Sequence, residues 1–375
     1  MQILAVDVGT GTQDILLFDT GRDPENYLKM VMPSPTLSVA RQIREATAQR
    51  RPVLLTGVTM GGGPSAWAAG DHRKVGLPLY ATPDAARSFN DDLDAVQREL
   101  GIQIVSEDEA RALARREGIA HVIMRDLDYP AIRAAFAAFG VDLRPDALAV
   151  AVFDHGNAPP GVSDRQFRLD YLAGRLRSDR HLSAFAFRAD AIPPIMTRLQ
   201  AVAQTAVEQS SLPVYVMDTA PAAILGALED PAVRSRPNAQ IMNVGNFHCL
   251  AFQYREGEIV RLFEHHTGLL DRSALEGWLR ALAEGSITHE RIFADHGHGA
   301  VVLDPAPVPL DFLAVTGPRR GMLVGSQLPV YFAVPHGDQM LAGCFGLIRA
   351  VADLEPEWAN PIEAALRHAQ GRSLW

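Results

Sequence analysis

The sequence predicts an α/β fold of two similarly organised domains with a cleft between them. The chain has 375 residues, and a length above about 250–300 residues usually divides into more than one domain. Three short apolar runs with a glycine turn occur near residue 9, and the same arrangement recurs near residue 245. Each is followed by alternating helix-like and strand-like segments, which indicates layered α/β packing. We expect a first domain at residues 1–210 and a second at residues 211–375.

The beginning of the chain is predicted to form a β-hairpin. Residues 2–8 and 14–19 are apolar runs, and Gly9-Thr10-Gly11-Thr12 lies between them. A glycine-containing turn between two such runs is typical of a hairpin. In the rest of this half, strands are predicted at residues 26–32, 53–58 and 147–153, and helices at residues 37–48 and 194–209.

Residues 157–190 differ from the segments around them and are predicted to form an insertion. Two prolines come first, followed by five arginines between residues 165 and 180. Such a run could bind a phosphate or an acidic substrate. Interleaved aspartates at positions 164, 170 and 179 favour local charge pairing instead. We therefore interpret Arg165, Arg168, Arg175, Arg177 and Arg180 as a solvated helix face.

The second half repeats the hairpin pattern. Residues 241–244 and 249–254 are predicted strands joined by the Gly245-Asn246 turn, and residues 258–264 follow as a third strand. The remaining predicted strands are residues 213–217, 311–315 and 330–334. The predicted helices are residues 222–229, 271–284, 288–294 and 339–354.

Composition and charge exclude several classes of protein. The net charge of −9 argues against a general nucleic-acid-binding protein, which needs a basic face. The longest apolar runs are far shorter than the ~20 residues that span a bilayer, and the start of the chain has no signal-peptide pattern. We therefore expect no membrane partner and a cytoplasmic location, and a homodimer is compatible with the composition. Cys249 and Cys344 are the only cysteines, which excludes a three-cysteine iron–sulfur cluster and a CxxC zinc pair.

The first glycine turn has the residue types of a phosphate-binding site. Glycines let backbone N–H groups approach phosphate oxygens, and threonine hydroxyls add donors. Asp7, at the end of the first strand, is a carboxylate suited to hold Mg²⁺ through its water shell. A plain tight hairpin is the alternative, but it requires neither two threonines nor the neighbouring carboxylate. We predict Asp7 as the metal-binding and catalytic residue and, as nucleotide-binding residues, Gly9, Thr10, Gly11, Thr12 and Gln13.

This segment resembles the first phosphate motif of the actin-like ATPase superfamily, which includes sugar kinases, Hsp70 and actin. Residues 218–223 resemble its connecting helix, residues 243–246 its second phosphate motif, residues 314–318 its adenosine turn and residues 339–350 its final helix. The resemblance implies duplicated actin-like (ribonuclease H-like) domains with ATP and Mg²⁺ in a central cleft. Many members have an aspartate at the position of Asn243. The further nucleotide contacts that the resemblance implies are Asn243, Gly245, Asn246 and Gly317.

Three segments also resemble a family labelled as pyruvate formate-lyase activating enzymes: residues 55–63, 154–156 and 264–267.

The glycine-rich segment at residues 61–65 is a candidate substrate-binding loop. In sugar kinases the comparable loop touches the substrate, although a tight turn for close packing is an equal alternative. We therefore predict substrate contacts from Gly61, Gly62, Gly63 and Ser65. Asp154 and His155 follow an apolar strand, where cleft residues of open α/β sheets are found. Asp154 is a candidate general base or a cap of the following turn, and His155 a candidate substrate contact.

Histidines are concentrated in the second half of the chain, at positions 248, 265, 266, 296, 298 and 336. His296-Gly297-His298 with Asp295 could bind a transition metal. Hydrogen-bonded histidines in a glycine-rich loop are the favoured alternative. Because His265 and His266 are neighbours in a predicted strand, only one of them is expected to face a given side.

Three functions are compatible with these features. The first is phosphoryl transfer from ATP to a small molecule, or ATP hydrolysis. The second is a non-catalytic, nucleotide-dependent clamp that serves a partner protein, which Asn243 favours. The third is a metal-dependent hydrolase that uses the histidines.

Overall fold

The computed structural model of the chain describes residues 1–367. The strands are β1 (Gln2–Val8), β2 (Thr12–Asp19), β3 (Leu28–Pro33), β4 (Val53–Gly57), β5 (Leu79–Ala81), β6 (Gln103–Ile104), β7 (Ala120–Met124), β8 (Ala147–Val152), β9 (Ala186–Arg188), β10 (Val214–Asp218), β11 (Asn238–Val244), β12 (His248–Arg255), β13 (Glu258–His266), β14 (Gly299–Val302), β15 (Leu313–Thr316) and β16 (Val330–Phe332).

The helices alternate with these strands. They are α1 (Pro35–Ala48), α2 (Pro64–Lys74), α3 (Pro83–Ala86), α4 (Leu93–Ala95), α5 (Glu107–Ala114), α6 (Tyr129–Ala138), α7 (Asp164–Ser178), α8 (Thr197–Gln209), α9 (Thr219–Ala227), α10 (Pro231–Arg234), α11 (Arg272–Glu284), α12 (His289–Ala294), α13 (Ala342–Leu354) and α14 (Pro356–Arg367). Within residues 1–367 none of these helices combines the length and the apolar character that crossing a bilayer requires.

The two six-stranded sheets share an order of five strands, and each has one further antiparallel strand, β9 beside β10 in the first sheet and β14 beside β13 in the second. The first runs β3-β2-β1-β8-β10-β9 and the second β14-β13-β12-β11-β15-β16. In each, a three-stranded antiparallel meander continues from its first strand into two parallel strands: β1 into β8 and β10, and β11 into β15 and β16. This shared order confirms the predicted duplicated α/β fold of actin-like (ribonuclease H-like) type.

The two sheets are joined through a pair of tightly crossed helices, α9 and α13. A Cβ added to Gly226 of α9 would overlap the carbonyl oxygen of Ala342, and one added to Gly346 of α13 would overlap the carbonyl oxygen of Ala222. The absence of side chains at both glycines therefore allows the helix backbones to touch. One hydrophobic cluster runs from Phe18 of the first sheet through this crossing to the second sheet.

A separate four-stranded parallel sheet, β6-β5-β4-β7, is inserted between β3 and β8. Its own core is formed by residues between Val39 and Met124. In the segment predicted as an insertion, residues 157–190, the structure places α7 and the edge strand β9 of the first sheet. Strand β10 lies beyond residue 210 but pairs with β8. We therefore propose that the boundary between the two domains lies between residues 218 and 238 rather than at residue 210.

Candidate functional site

A cavity of about 330 Å³ lies between the two sheets and the inserted module. Because the carboxyl ends of β1, β8, β10, β11 and β15 converge on it, polar residues that follow these strands meet there. The predicted site residues that line it are Asp7, Gly9, Thr10, Thr12, Gly61, Gly62, Gly63, Asp154, His155, Asn243, Gly245, Asn246 and Gly317.

Three predicted site residues are not among those that line the cavity. Gly11 lies in the first turn, where an added Cβ would come within 2.9 Å of Asn246 Nδ2. Gln13 donates from Nε2 to the carbonyl oxygen of Pro33 at 3.0 Å, which directs its side chain toward β3. Ser65 is fully buried, and its backbone N–H donates to Thr36 Oγ1 at 3.2 Å. Gln13 and Ser65 therefore hold neighbouring backbone in place rather than face the cavity.

The two glycine turns have the same geometry. Gly9 N–H donates to the carbonyl oxygen of Thr12, and Gly245 N–H donates to that of His248, both at 2.9 Å. The strand register extends up to each turn, with Val8 opposite Gln13 and Val244 opposite Cys249. The two four-residue turns are thus equivalent in the duplicated fold.

This equivalence pairs individual residues of the two turns. Asp7 corresponds to Asn243, since each lies two residues before its turn glycine. Gly11 lies against Asn246, so the first turn faces the second across the cleft.

Asp7 is held in a buried, acidic corner of the cavity. Its Oδ1 accepts a hydrogen bond from Thr219 Oγ1 at 2.5 Å. Burial raises the pKa of Asp7 to about 6, with opposition from the Thr219 hydrogen bond and a further increase from Asp218. Gly343, at the start of α13, makes room for the carboxylate, because a Cβ there would overlap Asp7 Oδ2.

Asp14 is the second carboxylate of this corner and is not among the site residues predicted from the sequence. It lies directly opposite Asp7 in the β1–β2 register and lines the cavity. Burial and the neighbouring Asp7 charge raise the pKa of Asp14 to about 8. Its Oδ1 is buried without a hydrogen-bond partner among the residues that the structure describes. Two buried carboxyls with an unpaired oxygen are a suitable environment for a cation.

The turn after β15 closes the opposite side of the cleft. Gly317 has φ +98°, and an added Cβ would come into contact with the backbone of Val244. Arg319 N–H donates to the carbonyl oxygen of Val244 at 2.9 Å. The predicted adenosine turn is therefore packed directly on the second phosphate turn.

The triple-glycine loop is shaped mainly by close packing. A Cβ on Gly61 would lie 2.6 Å from Arg198 Nη2, and one on Gly63 would lie 2.8 Å from Phe247 Cε2. Backbone donors are used inside the protein: Met60 N–H donates to Ser88 Oγ at 3.0 Å, and Gly61 N–H to Asp126 Oδ1 at 3.2 Å. The loop thus brings the inserted module against the second turn, as Trp67 also does, with its ring centroid 5.6 Å from that of Phe247.

Asp154 caps the turn that follows β8. Its Oδ1 accepts from Gly156 N–H and its Oδ2 from Leu199 N–H, both at 2.8 Å. Burial nevertheless raises its pKa, because desolvation outweighs these hydrogen bonds. Each oxygen of the carboxylate retains a second lone pair, so these two hydrogen bonds fix the orientation of Asp154 without preventing it from accepting a proton.

Asp91 is a further carboxyl on the cavity wall and was not predicted from the sequence. It is partly exposed, and no backbone donor to its side chain is seen in the described part of the chain. Its pKa is raised by burial and by the charges of Asp164 and Asp154, against the opposing charge of Arg87.

Arg168 contradicts the interpretation of the arginine run as a solvated helix face. Its side chain is fully buried. Its Nε donates to Glu264 Oε2 at 2.9 Å, and its Nη1 donates to Asp218 Oδ2 and to the carbonyl oxygen of Asp154, both at 2.6 Å. The guanidinium carbon lies 3.9 Å from the ring centroid of Phe153. Arg168 therefore ties the second sheet to the ends of β8 and β10.

Histidines gather beside Phe153 at one end of the cavity. The His155, His248 and His298 ring centroids are 5.0–5.5 Å apart. Burial lowers the pKa of His155 to about 3 and lowers those of His248 and His298 as well. His296, which the sequence analysis considered as a metal-binding partner of His298 but did not favour, is exposed in the loop at φ +63°. Of the neighbours in β13, His265 is fully buried and His266 is partly exposed, with its ring 5.0 Å from that of His248.

Solved structures with a similar arrangement share little sequence with this chain. A ROK hexokinase from Thermus thermophilus is 12% identical, with 95% of this chain and 100% of that chain covered and a TM-score of 0.29. The ethanolamine utilization protein EutJ from Carboxydothermus hydrogenoformans is 11% identical, with 92% and 89% covered and a TM-score of 0.29. A ROK family transcriptional regulator, a homolog of the E. coli MLC protein, is 11% identical with a TM-score of 0.26; 69% of this chain is covered, and the chain spans 37% of the regulator's length.

The fold assignment rests on the strand order and register described above. No curated protein matches the chain in sequence. One family model does match, over residues 60–322, and it covers more than half of the chain. The chain belongs to the family described as "Putative pyruvate format-lyase activating enzyme (DUF1786)".

Proposed function

We propose that the protein binds ATP with Mg²⁺ in the central cleft and transfers the terminal phosphoryl group to a small molecule or to water. The observation that carries this proposal is the pair of equivalent turns, Gly9–Thr12 and Gly245–His248, that face one another across a cavity of about 330 Å³. Catalysis of phosphoryl transfer depends mainly on positioning and on stabilisation of charge. Two opposed turns that line one cavity, with Thr10 and Thr12 in the first of them, suit both tasks.

Asp7 and Asp14 fit a divalent cation. Burial, together with the charge of a neighbouring carboxylate, raises the pKa of both groups, and Asp14 Oδ1 has no hydrogen-bond partner among the described residues, so a bound cation would stabilise the ionised carboxylates. Hard oxygen ligands are those that Mg²⁺ binds, commonly with one or two carboxylates and retained water. When bound, the ion would neutralise phosphate charge. Thr219 and Gly343 orient the Asp7 carboxylate toward the cavity through the contacts described above.

The acceptor side of the cleft offers two carboxyls for a proton. Asp154 remains a candidate base, although both of its oxygens accept backbone hydrogen bonds. Asp91 accepts no backbone hydrogen bond from the described residues, and it lines the same cavity. Its pKa is raised, as is usual for a carboxylate that acts as a general base. We propose Asp91 as the base and Asp154 as the residue that positions the loop of His155.

The family description names an activating enzyme, and its radical chemistry is not supported by the residues of this chain. Such activators hold an iron–sulfur cluster on three closely spaced cysteines. Cys249 lies in β12 and Cys344 in α13, and both are buried. Burial raises the pKa of Cys249 to about 12, which disfavours the thiolate that ligates iron.

A second candidate function is a nucleotide-dependent clamp without turnover. It is favoured by Asn243, which stands at the position equivalent to Asp7 and so leaves the second turn without a carboxylate. In this case the nucleotide would set the relation between the two sheets, and a partner protein would respond to it. Retained nucleotide affinity without ATP turnover would support the clamp.

Calorimetric titration of ATP and ADP, with and without Mg²⁺, tests the proposal. The variant Asp7→Ala should weaken Mg²⁺-dependent ATP binding at least ~10-fold, since a charge-assisted contact contributes about 1.5–3 kcal/mol. Asp19→Ala is the matched control, because Asp19 ends the same hairpin at its other end and contacts Gln2 and Gly21. Equal affinities in the two variants, or no binding by the wild type, would overturn the proposal.

A further inference from the structure

The histidine cluster at the end of the cleft has the composition of a transition-metal site. One ring nitrogen from each of His155, His248 and His298 lies within 4.8 Å of the others. Imidazole nitrogens bind Zn²⁺ at about 2.0–2.1 Å, so ligands around one ion are about 3.3 Å apart. The ring nitrogens must therefore approach one another when an ion binds, and His155 and His248 are the two rings that are partly exposed.

Three different elements supply the ligands. His155 follows β8, His248 begins β12, and His298 directly precedes β14. Phe153 supports the group, with its ring stacked on that of His248 at 4.4 Å and at 4.8 Å from that of His155. These contacts hold His155 and His248 next to one another before any ion binds.

The surroundings of His298 indicate that the cluster binds a ligand. It is fully buried, and neither of its ring nitrogens has a hydrogen-bond partner in the described part of the chain. A buried polar group without a partner destabilises the folded protein. A metal ion between the three rings would satisfy one of these nitrogens.

Glu264 would then serve the other nitrogen of His298. Its Oε1 lies 3.3 Å from His298 Nδ1, and ligating histidines usually direct their second ring nitrogen at a carboxylate or carbonyl. This places Nε2 of His298 as the metal-binding atom. Glu264 is itself fixed by Arg168, so the support of the site extends into the buried ion network.

The charge around the cluster is compatible with a dication. Arg168 and Arg198 act on His155 through their charge, and each is paired with carboxylate partners. Carboxyl groups outnumber guanidinium groups in this region. The carboxyls are Asp126, Asp154, Asp218 and Glu264.

We propose that His155, His248 and His298 bind one transition-metal ion, such as Zn²⁺ or Co²⁺, with an open coordination position toward the cleft. His155 and His248 line the cavity, whereas His298 lies behind them. Three protein ligands with an open position are typical of catalytic rather than structural zinc. The open position takes a small oxygen donor, namely water or a hydroxyl or carboxylate group of the acceptor. The acceptor part of this statement rests on the proposed phosphotransfer, whereas the metal site does not.

Titration of chelator-treated protein with Co²⁺ and Zn²⁺, in the absence of nucleotide, tests the site. The wild type should bind one ion per chain, and Co²⁺ should give the intense visible absorption of a four- or five-coordinate nitrogen site. His155→Gln and His248→Gln should each weaken binding ~100-fold or more, since even the loss of an outer carboxylate costs 10–100-fold. Both positions are partly exposed, so these variants are expected to fold, and thermal unfolding checks it.

His296→Asn is the matched control. It removes the exposed histidine of the His-x-His motif and retains a residue that tolerates a positive φ. It should bind the metal as the wild type does. Metal binding that is absent, or that is equally strong in His155→Gln and His248→Gln, would overturn the proposal. Because no nucleotide is present, failure here leaves ATP binding at Asp7 to be judged on its own titration.

Discussion

Replacement of Arg168 by methionine tests whether one buried arginine holds the two sheets together at the cleft. Methionine retains much of the volume but leaves Asp218 and Glu264 without their shared cation. The guanidinium makes charged hydrogen bonds to both carboxylates and lies over Phe153. Removal of one partner from a buried ion network costs about 3–5 kcal/mol. We therefore expect the free energy of unfolding to fall by ~4 kcal/mol.

Arg177→Met is the matched control on the same helix, because Arg177 is exposed. Its effect should stay within about 0.5 kcal/mol, as for other surface substitutions. Urea unfolding followed by tryptophan fluorescence and by circular dichroism measures both variants, and coincidence of the two signals checks two-state behaviour. If Arg168→Met unfolds within 1 kcal/mol of Arg177→Met, the buried network does not stabilise the cleft.

The loss in Arg168→Met should also depend on pH. Burial raises the pKa of Glu264 to about 7, above its usual 4.5, even with Arg168 present. A carboxyl whose folded-state pKa is raised destabilises the folded protein as pH rises above the unfolded-state value. Without the arginine this penalty grows, so the difference from wild type should be larger at pH 8 than at pH 5.5. A difference that is independent of pH would contradict the assignment of Glu264 as a buried ionised partner.

Two further predictions concern the cleft and the helix crossing. In metal-free buffer the wild type should lose thermal stability as pH rises from about 4 to about 8, because the folded-state pKa of Asp14 is raised to about 8. The variant Asp14→Asn should flatten this dependence of melting temperature on pH. An unchanged slope would refute the assignment of Asp14 as a buried carboxyl with a raised pKa. Gly226→Ala should destabilise the protein by ~1–3 kcal/mol through overlap with Ala342. Gly277→Ala, in α11 with open space at its Cβ, should be neutral or stabilising, and equal melting temperatures of the two variants would show that the crossing is not tight.

The hairpins and the duplicated order could be predicted from the sequence because they depend on local patterns. Residues 2–8 match β1, and the glycine turns mark where each meander folds back. The four-stranded inserted sheet was not predicted, since its strands are short and pair with partners distant in sequence. Asp14 was hidden within an apolar run, and only the strand register shows that it faces Asp7.

The wrong interpretation of Arg168 and the incomplete histidine cluster have the same physical cause. A charged run on a helix is usually solvated, and nothing local reveals that one arginine meets carboxylates at positions 218 and 264. His155 and His248 come from different sheets and meet His298 only after the fold has formed. The sequence suggested His296 as a possible metal ligand because it is close to His298 along the chain. The closeness of His155 and His248 to His298 in space is not visible in the sequence.

A crystal structure of the protein with Mg²⁺ and a non-hydrolysable ATP analogue tests the central claim most directly. We predict that the β- and γ-phosphates lie between the Gly9–Thr12 and Gly245–His248 turns. Mg²⁺ should lie beside Asp7 and Asp14, and the adenine ring of the nucleotide should lie near Gly317. Phosphates bound elsewhere, or an analogue absent from the cleft at saturating concentration, would contradict the account.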